Sequence, residues 1–145
     1  MLFIGGAPWV LARVVDGSWR WQGHLLQWIG AWVILNGAGL AGWCVWWFVA
    51  RGLGTPLPAD PPKRLVIAGP YRFVRNPMAL GFFVMLAGQA LVYESWAVVV
   101  YGCAVIAVLH LYVVKIEEPD LLTRFGPAYR EYQQRVARWL PRPPR

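Results

Sequence analysis

Two clusters of ionisable side chains lie beside long apolar runs in this sequence. The first is GPYRFVRNPM, residues 69–78, in which Arg72 and Arg75 precede Asn76 and Pro77. Asn caps free helix amides and proline is favoured at the first helical position, so a helix is predicted to begin here with its positive dipole end beside both arginines. Such an arrangement binds anions. The alternative is that both arginines only reach toward lipid phosphates.

The second cluster is the acidic pair Glu117 and Glu118, which follows an apolar run. The helix dipole disfavours an acid at the C-terminal end of a helix by about 0.3–1 kcal/mol, so the pair is expected to have a functional reason. Alternatively, Glu118 and Asp120 are first-turn acids of a helix that opens at Pro119. His110 lies about two turns before Glu117 and is either a structural histidine bonded to a neighbouring helix or a proton acceptor.

If the two clusters converge, arginines and helix amides lie beside a carboxylate pair, near aromatic side chains. This set of groups suits a zwitterionic amino acid joined to a nucleoside. Arginine and amides bind its carboxylate, a glutamate accepts from its ammonium or ribose diol, and an aromatic face attracts a sulfonium. S-adenosylmethionine carries all of these groups and is the predicted cofactor.

The composition indicates a membrane protein, because 58% of the 145 residues are hydrophobic and only 14% are charged. Leu25–Ala50 lacks charged residues and would form a helix about 39 Å long, enough to cross a hydrocarbon core. Met78–Tyr93 and Ser95–Val114 are separated only by Glu94, which predicts a helical hairpin. Met1–Val15 is interpreted as a short first helix. The predicted fold is therefore all-α, an integral membrane bundle of about four helices followed by a C-terminal cytoplasmic amphipathic helix.

The basic residues predict the orientation. The net charge of +7 is concentrated beside the apolar runs, which favours positive-inside bias and argues against a nucleic-acid partner. The proline-rich linker 51–77 is basic, and so is the segment from Lys115 onward. Both regions, both termini and the cofactor site are therefore predicted to face the cytoplasm.

The segment after the last apolar run is predicted to kink at Pro119, which would bias Glu118 away from helical angles. An amphipathic helix on the membrane surface follows. Its apolar side chains recur at helical spacing, interrupted at Gly126 and Pro127: Phe125, Tyr129, Tyr132 and Val136. Its polar face is expected to turn four arginines toward lipid headgroups: Arg124, Arg130, Arg135 and Arg138.

Small and aromatic residues pattern the longest apolar run. The tryptophans near its two ends predict aromatic belts: Trp28, Trp32, Trp43, Trp46 and Trp47. Between them, residues 37–42 offer a small-residue surface that Gly81 and Gly88 of the third run are expected to meet. Cys44 and Cys103 are interpreted as small hydrophobic residues, and no metal site is predicted.

GPYRFVRNPMALG followed by EEPDLLTRFGPAYREYQQRVARWLP resembles the integral-membrane methyltransferases typified by isoprenylcysteine carboxyl methyltransferase and phosphatidylethanolamine N-methyltransferase. The resemblance spans roughly residues 54–141. It implies that S-adenosylmethionine binds at the cytoplasmic ends of the last helices and that a lipid-like acceptor enters from the bilayer. Asn76 stands where the eukaryotic carboxyl methyltransferases commonly have histidine, and Ala79 where tyrosine is frequent. Asn cannot serve as a base near neutral pH.

By this resemblance, Arg75 is expected to orient the acceptor or clamp the cofactor, and Glu118 to hold the cofactor. Tyr129 and Tyr132 are expected near a lid. The full set of expected cofactor-binding residues is Gly69, Pro70, Tyr71, Arg75, Asn76, Pro77, Gly81, His110, Glu117, Glu118, Tyr129 and Tyr132, with Arg75 and Glu118 as the catalytic residues.

The predicted function is transfer of a methyl group from S-adenosylmethionine to an oxygen or nitrogen of a membrane lipid or other lipid-soluble acceptor. One domain, 1–145, would perform it, comprising N-terminal helices (1–50), a cytoplasmic linker (51–77) and a hairpin with the C-terminal cofactor-binding region (78–145). Two alternatives stay open. One is a nicotinamide-dependent enzyme resembling sterol reductases, although no phosphate-cradling glycine loop is present. The other is a non-catalytic membrane subunit whose arginines anchor and whose glutamates cap.

Overall fold

The structure is a computed structural model that describes residues 5–15, 17, 21–50 and 65–141, apart from the side chain of Phe48. Five α-helices occur in these ranges: α1 (Ala7–Val15), α2 (Leu25–Ala50), α3 (Pro77–Tyr93), α4 (Trp96–Tyr112) and α5 (Glu118–Arg135). A 3₁₀ turn, Gly69–Arg72, precedes α3. No strand occurs in the described ranges, so the all-α prediction is confirmed. Most of the proline-rich linker and the last four residues lie outside them.

Within the described residues, two helical runs are apolar and long enough to cross a membrane. Leu25–Trp47 spans 23 residues with a mean hydropathy of 1.4, and the run that begins at Trp96 reaches 2.4 over its most apolar window. Helix α3 is also apolar but has only 17 residues. Many of their outward side chains are large and apolar, such as Leu35, Trp96 and Val108. These helices are therefore suited to a lipid environment.

Glycines allow close contact between α2 and α3, within a compact unit formed by residues 1–39 and 81–109. A Cβ atom at Gly37 would lie 2.6 Å from the carbonyl oxygen of Gly81, and one at Gly30 would lie 2.7 Å from that of Gly88. The two backbones thus touch where side chains are absent. The predicted contact is confirmed for Gly37 with Gly81. It is wrong for Gly88, which meets Gly30 and Ile34, and Gly39 has no neighbour within 4 Å of such an atom.

The predicted hairpin between α3 and α4 is confirmed. Glu94 adopts a left-handed φ of 50° at its tip. The hydroxyl of Ser95 then accepts a hydrogen bond from the amide of Val98 at 3.2 Å, which caps the first turn of α4. The carboxylate of Glu94 lies 3.0 Å from Nε2 of His24, on the segment that leads into α2.

The predicted kink at Pro119 is wrong. Glu118 is helical, with φ −63° and ψ −42°, and a π-helical stretch, Val113–Glu117, joins α4 directly to α5. Pro119 falls in the first turn of α5, where its missing N–H is tolerated because the π turn changes the hydrogen-bond register just before it. The predicted interruption at Gly126 is confirmed, since this residue has φ 53° and ψ −125° inside α5.

Replacing Gly37 with alanine should destabilise the protein, because the new methyl group would overlap the backbone of α3. Overpacking of this kind costs about 1–3 kcal/mol. Thermal unfolding in a mild detergent measures the effect. Gly39→Ala is the matched control, two residues away on the same helix with open space around it. Equal melting temperatures for the two variants would contradict the helix contact.

Candidate functional site

Most predicted site residues belong to a second compact unit, formed by residues 40–80 and 110–145. The start of α3 meets the segment that follows α5 there, because the amide of Arg75 donates to the carbonyl of Ala137 at 2.9 Å. Tyr129, Tyr132 and Val136 form the buried core of this unit. Asn76 precedes α3 as predicted, and its carbonyl accepts the first helical hydrogen bond, from Leu80 at 3.0 Å.

Glu118 is held by two arginines. Its Oε1 lies 3.0 Å from Nη1 of Arg75. Arg138 donates from Nε to Oε1 and from Nη2 to Oε2, both at 2.8 Å. The side chains of Glu118 and Arg75 are only 8% and 11% exposed. We name these three residues the Glu118 cluster. It joins the start of α3, the start of α5 and the C-terminal segment through charge-assisted hydrogen bonds and ion pairing.

The placement of Arg138 corrects the prediction that it faces lipid headgroups. The backbone leaves the helix at Val136, with φ −118° and ψ 128°, so the helical spacing ends before Arg138. The hydrogen bond to Glu118 raises the pKa of Arg138 further above its ordinary value. Arg124 and Arg135 instead pair with acids one turn earlier on exposed positions of α5. Sequence periodicity did not predict the contact between Arg138 and Glu118, because these residues are 20 positions apart in the chain.

The hydroxyl groups of the three tyrosines of the candidate site make hydrogen bonds within the protein. The hydroxyl of Tyr132 donates to the carbonyl of Tyr71 at 2.7 Å. Arg75 donates to the hydroxyl of Tyr129, a residue that is only 2% exposed. The hydroxyl of Tyr71 and the thiol of Cys44 are hydrogen-bonded, a contact that sequence reasoning missed. Burial raises the pKa of all three phenols, so they stay neutral at physiological pH.

Glu117 is in a different situation from its neighbour Glu118. It is half-buried, and among the described residues it has neither a hydrogen bond nor an ion pair to its carboxylate. Desolvation first, and then the negative charge of Glu118, raises the pKa of the Glu117 carboxyl. This acid is therefore available to a ligand. It lies within electrostatic range of Tyr71 and Tyr129.

Two buried donors at this site also have no acceptor in the part of the chain that the structure describes. They are Nε of Arg75 and Nδ2 of Asn76, which are adjacent in sequence at the start of α3. A buried donor without a partner in a native protein calls for a water molecule or a ligand. Arg75 and Asn76 thus offer free donors, and Glu117 a free acceptor, within the same compact unit.

The structure gives Gly81 and His110 other contacts. The carbonyl oxygen of Gly81 faces Gly37 in the contact between α2 and α3. His110 is exposed, and its Nδ1 accepts a hydrogen bond from Nε1 of Trp139 at 3.1 Å. The partner of this histidine is therefore the C-terminal segment.

A cavity of about 480 Å³ opens beside the Gly69–Arg72 turn. It is lined by Trp43, Trp47, Ile67, Ala68, Gly69, Arg72 and Phe73. Gly69 has φ 57°, and a Cβ atom there would overlap Nε1 of Trp47. The indole of Trp47 therefore lies directly against the glycine backbone and forms one wall of the cavity.

Gly69→Ala should destabilise the second unit more than Gly126→Ala does. Both glycines have a left-handed φ, but only Gly69 has an indole at the site of the new methyl group. We expect about 1 kcal/mol from backbone strain in each variant and about 1–3 kcal/mol more from displacing Trp47. Thermal unfolding with tryptophan fluorescence measures both. A larger loss for Gly126→Ala would refute the packing of Trp47 on the turn.

Arg138→Gln should weaken the link between α5 and the C-terminal segment, because it removes both hydrogen bonds that Arg138 makes to Glu118. Arg138 is about a third exposed, which reduces the expected cost to about 1–2 kcal/mol. Arg135→Gln breaks an exposed pair with Glu131 and should cost less than about 0.5 kcal/mol. Chemical denaturation compares the variants. If their midpoints agree, the contacts of Arg138 with Glu118 do not stabilise the fold.

Fold and site together define an all-α membrane protein with a buried arginine–glutamate cluster beside an aromatic cavity. The family model named PEMT, phospholipid methyltransferase, matches residues 20–128. The chain belongs to this family, which confirms the resemblance found in the sequence. The match ends just before Tyr129, so Tyr132 and Arg138 lie outside it.

Two curated relatives are similar to the chain. Methanethiol S-methyltransferase 1 of Bradyrhizobium diazoefficiens is 35% identical over 79 residues, which are 49% of this chain and 24% of the relative. The cobalt-zinc-cadmium resistance protein CzcN of Cupriavidus metallidurans is 27% identical over 137 residues, or 92% of this chain and 59% of the relative. The chain thus spans only part of the length of both. Together with the family match, the first relative supports a membrane methyltransferase.

Proposed function

We propose that the protein transfers a methyl group from S-adenosylmethionine to a hydrophobic or lipid-like acceptor at the cytoplasmic face of a membrane. One observation carries the proposal. The buried free donors of Arg75 and Asn76 and the unpaired carboxylate of Glu117 belong to one compact unit. These groups complement the two charges of an amino acid, which is the part of this cofactor that needs charged partners.

The residues fit the cofactor as follows. Arg75 and Asn76 would bind the carboxylate, and Glu117 would accept hydrogen bonds from the ammonium or the ribose diol. When bound, the cofactor would supply a methyl group on a sulfonium sulfur, which is an activated leaving group for a single displacement by the acceptor. The hydrophobic walls of Trp47 and Phe73 would keep water away from the acceptor.

Glu118 takes a different role from the one its sequence position suggests. Both of its oxygens are bound by arginines, so it has little capacity left for a ligand. We assign it as a positioning residue that holds the guanidinium of Arg75 beside Asn76. Arg75 keeps the predicted role of a cofactor clamp, and Glu117 becomes the acidic ligand.

The rate of methyl transfer depends more on the orientation of the acceptor atom than on removal of a proton, since the sulfonium is already an activated leaving group. A carboxylate acceptor needs no base, whereas an ammonium acceptor must lose a proton, for which Glu117 is the candidate. The Bradyrhizobium relative is named as an S-methyltransferase, which adds sulfur to oxygen and nitrogen as a candidate acceptor atom. The basic segments around the site support a cytoplasmic orientation.

Glu117→Gln should abolish the stabilisation that S-adenosylhomocysteine gives to the purified protein. A ligand that binds only the folded state raises the melting temperature. At a ligand concentration about a hundredfold above Kd, the free energy of unfolding increases by about 2.7 kcal/mol. Glu131→Gln is the control, because Glu131 is an exposed acid of α5 paired with Arg135. Thermal unfolding with S-adenosylhomocysteine measures the shift, and NADPH tests the alternative of a nicotinamide-dependent enzyme.

The pH dependence of the same binding gives a second reading. The ammonium of the ligand favours the ionised form of Glu117, so affinity should rise as pH increases through the raised pKa of this carboxyl. Glu117→Gln should remove that dependence. Wild-type binding that is unchanged in Glu117→Gln would contradict the assigned role. Absence of any shift in the wild-type protein would favour the non-catalytic subunit.

A further inference from the structure

The cavity beside the Gly69–Arg72 turn has the properties of a ligand site of its own. Its volume of about 480 Å³ lies in the range that encloses a drug-sized molecule. A phospholipid with two acyl chains is too large for it. The end of α2 and the segment 67–73 form its lining, and all of these residues belong to the second unit.

The lining that the structure describes is apolar apart from one cation. Two indoles, a phenyl ring and an isoleucine face the space, and Arg72 is the only charged residue among the described lining residues. In the described part of the chain Arg72 pairs with no carboxylate. Arg75 and Arg138 instead share Glu118, and Arg124 and Arg135 pair along α5. The charge of Arg72 is thus available at the edge of an apolar space.

This chemistry does not suit the amino-acid end of the cofactor. No acid occurs among the described residues that line the cavity, so an ammonium group would have no partner among them. The cavity suits a molecule that is apolar over most of its length and carries one anionic group. Gly69 lines it and begins the turn whose Tyr71 carbonyl is fixed by Tyr132, so the cavity adjoins the site assigned above to the cofactor.

We propose that this cavity binds a small, single-chain or ring-bearing acid, with its anionic group on Arg72 and its apolar part against Trp43, Trp47 and Phe73. This inference rests on the proposed function, in which the ligand of the cavity is the methyl acceptor. Arg72 is then the residue that selects acids over neutral molecules of the same length. The acceptor and the cofactor bind together, because they use different residues.

The test uses the full chain in phosphatidylcholine nanodiscs. A photoreactive dodecanoate and a photoreactive dodecanol of equal length are crosslinked, and the labelled peptides are identified by mass spectrometry. The proposal expects the dodecanoate to label the walls of the cavity and to bind more tightly than the alcohol. Arg72→Gln should weaken dodecanoate binding about fivefold without changing dodecanol binding. Arg72→Lys should restore part of the difference because it keeps the charge.

Two further variants and two competitors make the test specific. Arg130→Gln is the matched control, since Arg130 is exposed on α5 outside the cavity and should behave as wild type. Ala68→Leu narrows the lining and should weaken both probes. Unlabelled phosphatidate should compete poorly, since two chains do not fit. S-adenosylhomocysteine should not displace the dodecanoate.

The outcomes separate this inference from the proposed function. Equal labelling by acid and alcohol, an unchanged Arg72→Gln variant or displacement by S-adenosylhomocysteine would each overturn the inference. Strong competition by phosphatidate would show that the acid is a membrane lipid and would overturn the small-ligand class. If S-adenosylhomocysteine gives the wild-type protein no stabilisation while acid selectivity persists, the reaction is refuted and the acid-binding cavity stands.

Discussion

A buried carboxylate must be compensated, and in this protein that requirement connects three distant parts of the chain. Glu118 is almost fully buried at the start of α5, where an unpaired charge would cost several kcal/mol. Arg75 comes to it from the start of α3 and Arg138 from the segment beyond α5. The same contacts bring Asn76 and the Gly69–Arg72 turn to the end of the helical run. The geometry of the candidate site therefore depends on Glu118.

The continuity of α4 and α5 explains why two adjacent acids differ. Successive residues of a helix point about 100° apart, so Glu117 and Glu118 cannot face the same partners. Because the π-helical stretch ends at Glu117, the helix carries Glu118 into the cluster. Glu117 is left half-buried beside it, and none of the described cations pairs with it. A kink at Pro119 with a non-helical Glu118 would have changed the angle between the side chains of Glu117 and Glu118.

Local signals in the sequence predicted where helices begin, turn and break, whereas the contacts within the candidate site depend on residues far apart in sequence. The Asn-Pro start of α3, the hairpin at Glu94 and the break at Gly126 all depend on residues close in sequence, and each is present. The pairing of Arg75 with Glu118 was predictable because Arg75 lies beside a predicted helix start and Glu118 is an acid at a helix end where the dipole disfavours it. Arg138 gave no such signal, since an arginine near a basic C-terminus is expected at a membrane surface. The continuous helix at Pro119 was missed because proline is restrictive inside a helix but not in a first turn.

The charge balance of the site favours a zwitterion over a simple anion. Two arginines share the single carboxylate of Glu118, so the cluster carries a surplus positive charge when all three groups are ionised. Glu117 lies next to it in sequence and is half-buried, and desolvation, followed by the negative charge of Glu118, raises the pKa of its carboxyl. A simple anion would satisfy Arg75 but would raise the cost of ionising Glu117 still further. A ligand with a carboxylate and an ammonium on one carbon relieves both costs together, and the amino-acid end of S-adenosylmethionine has that arrangement.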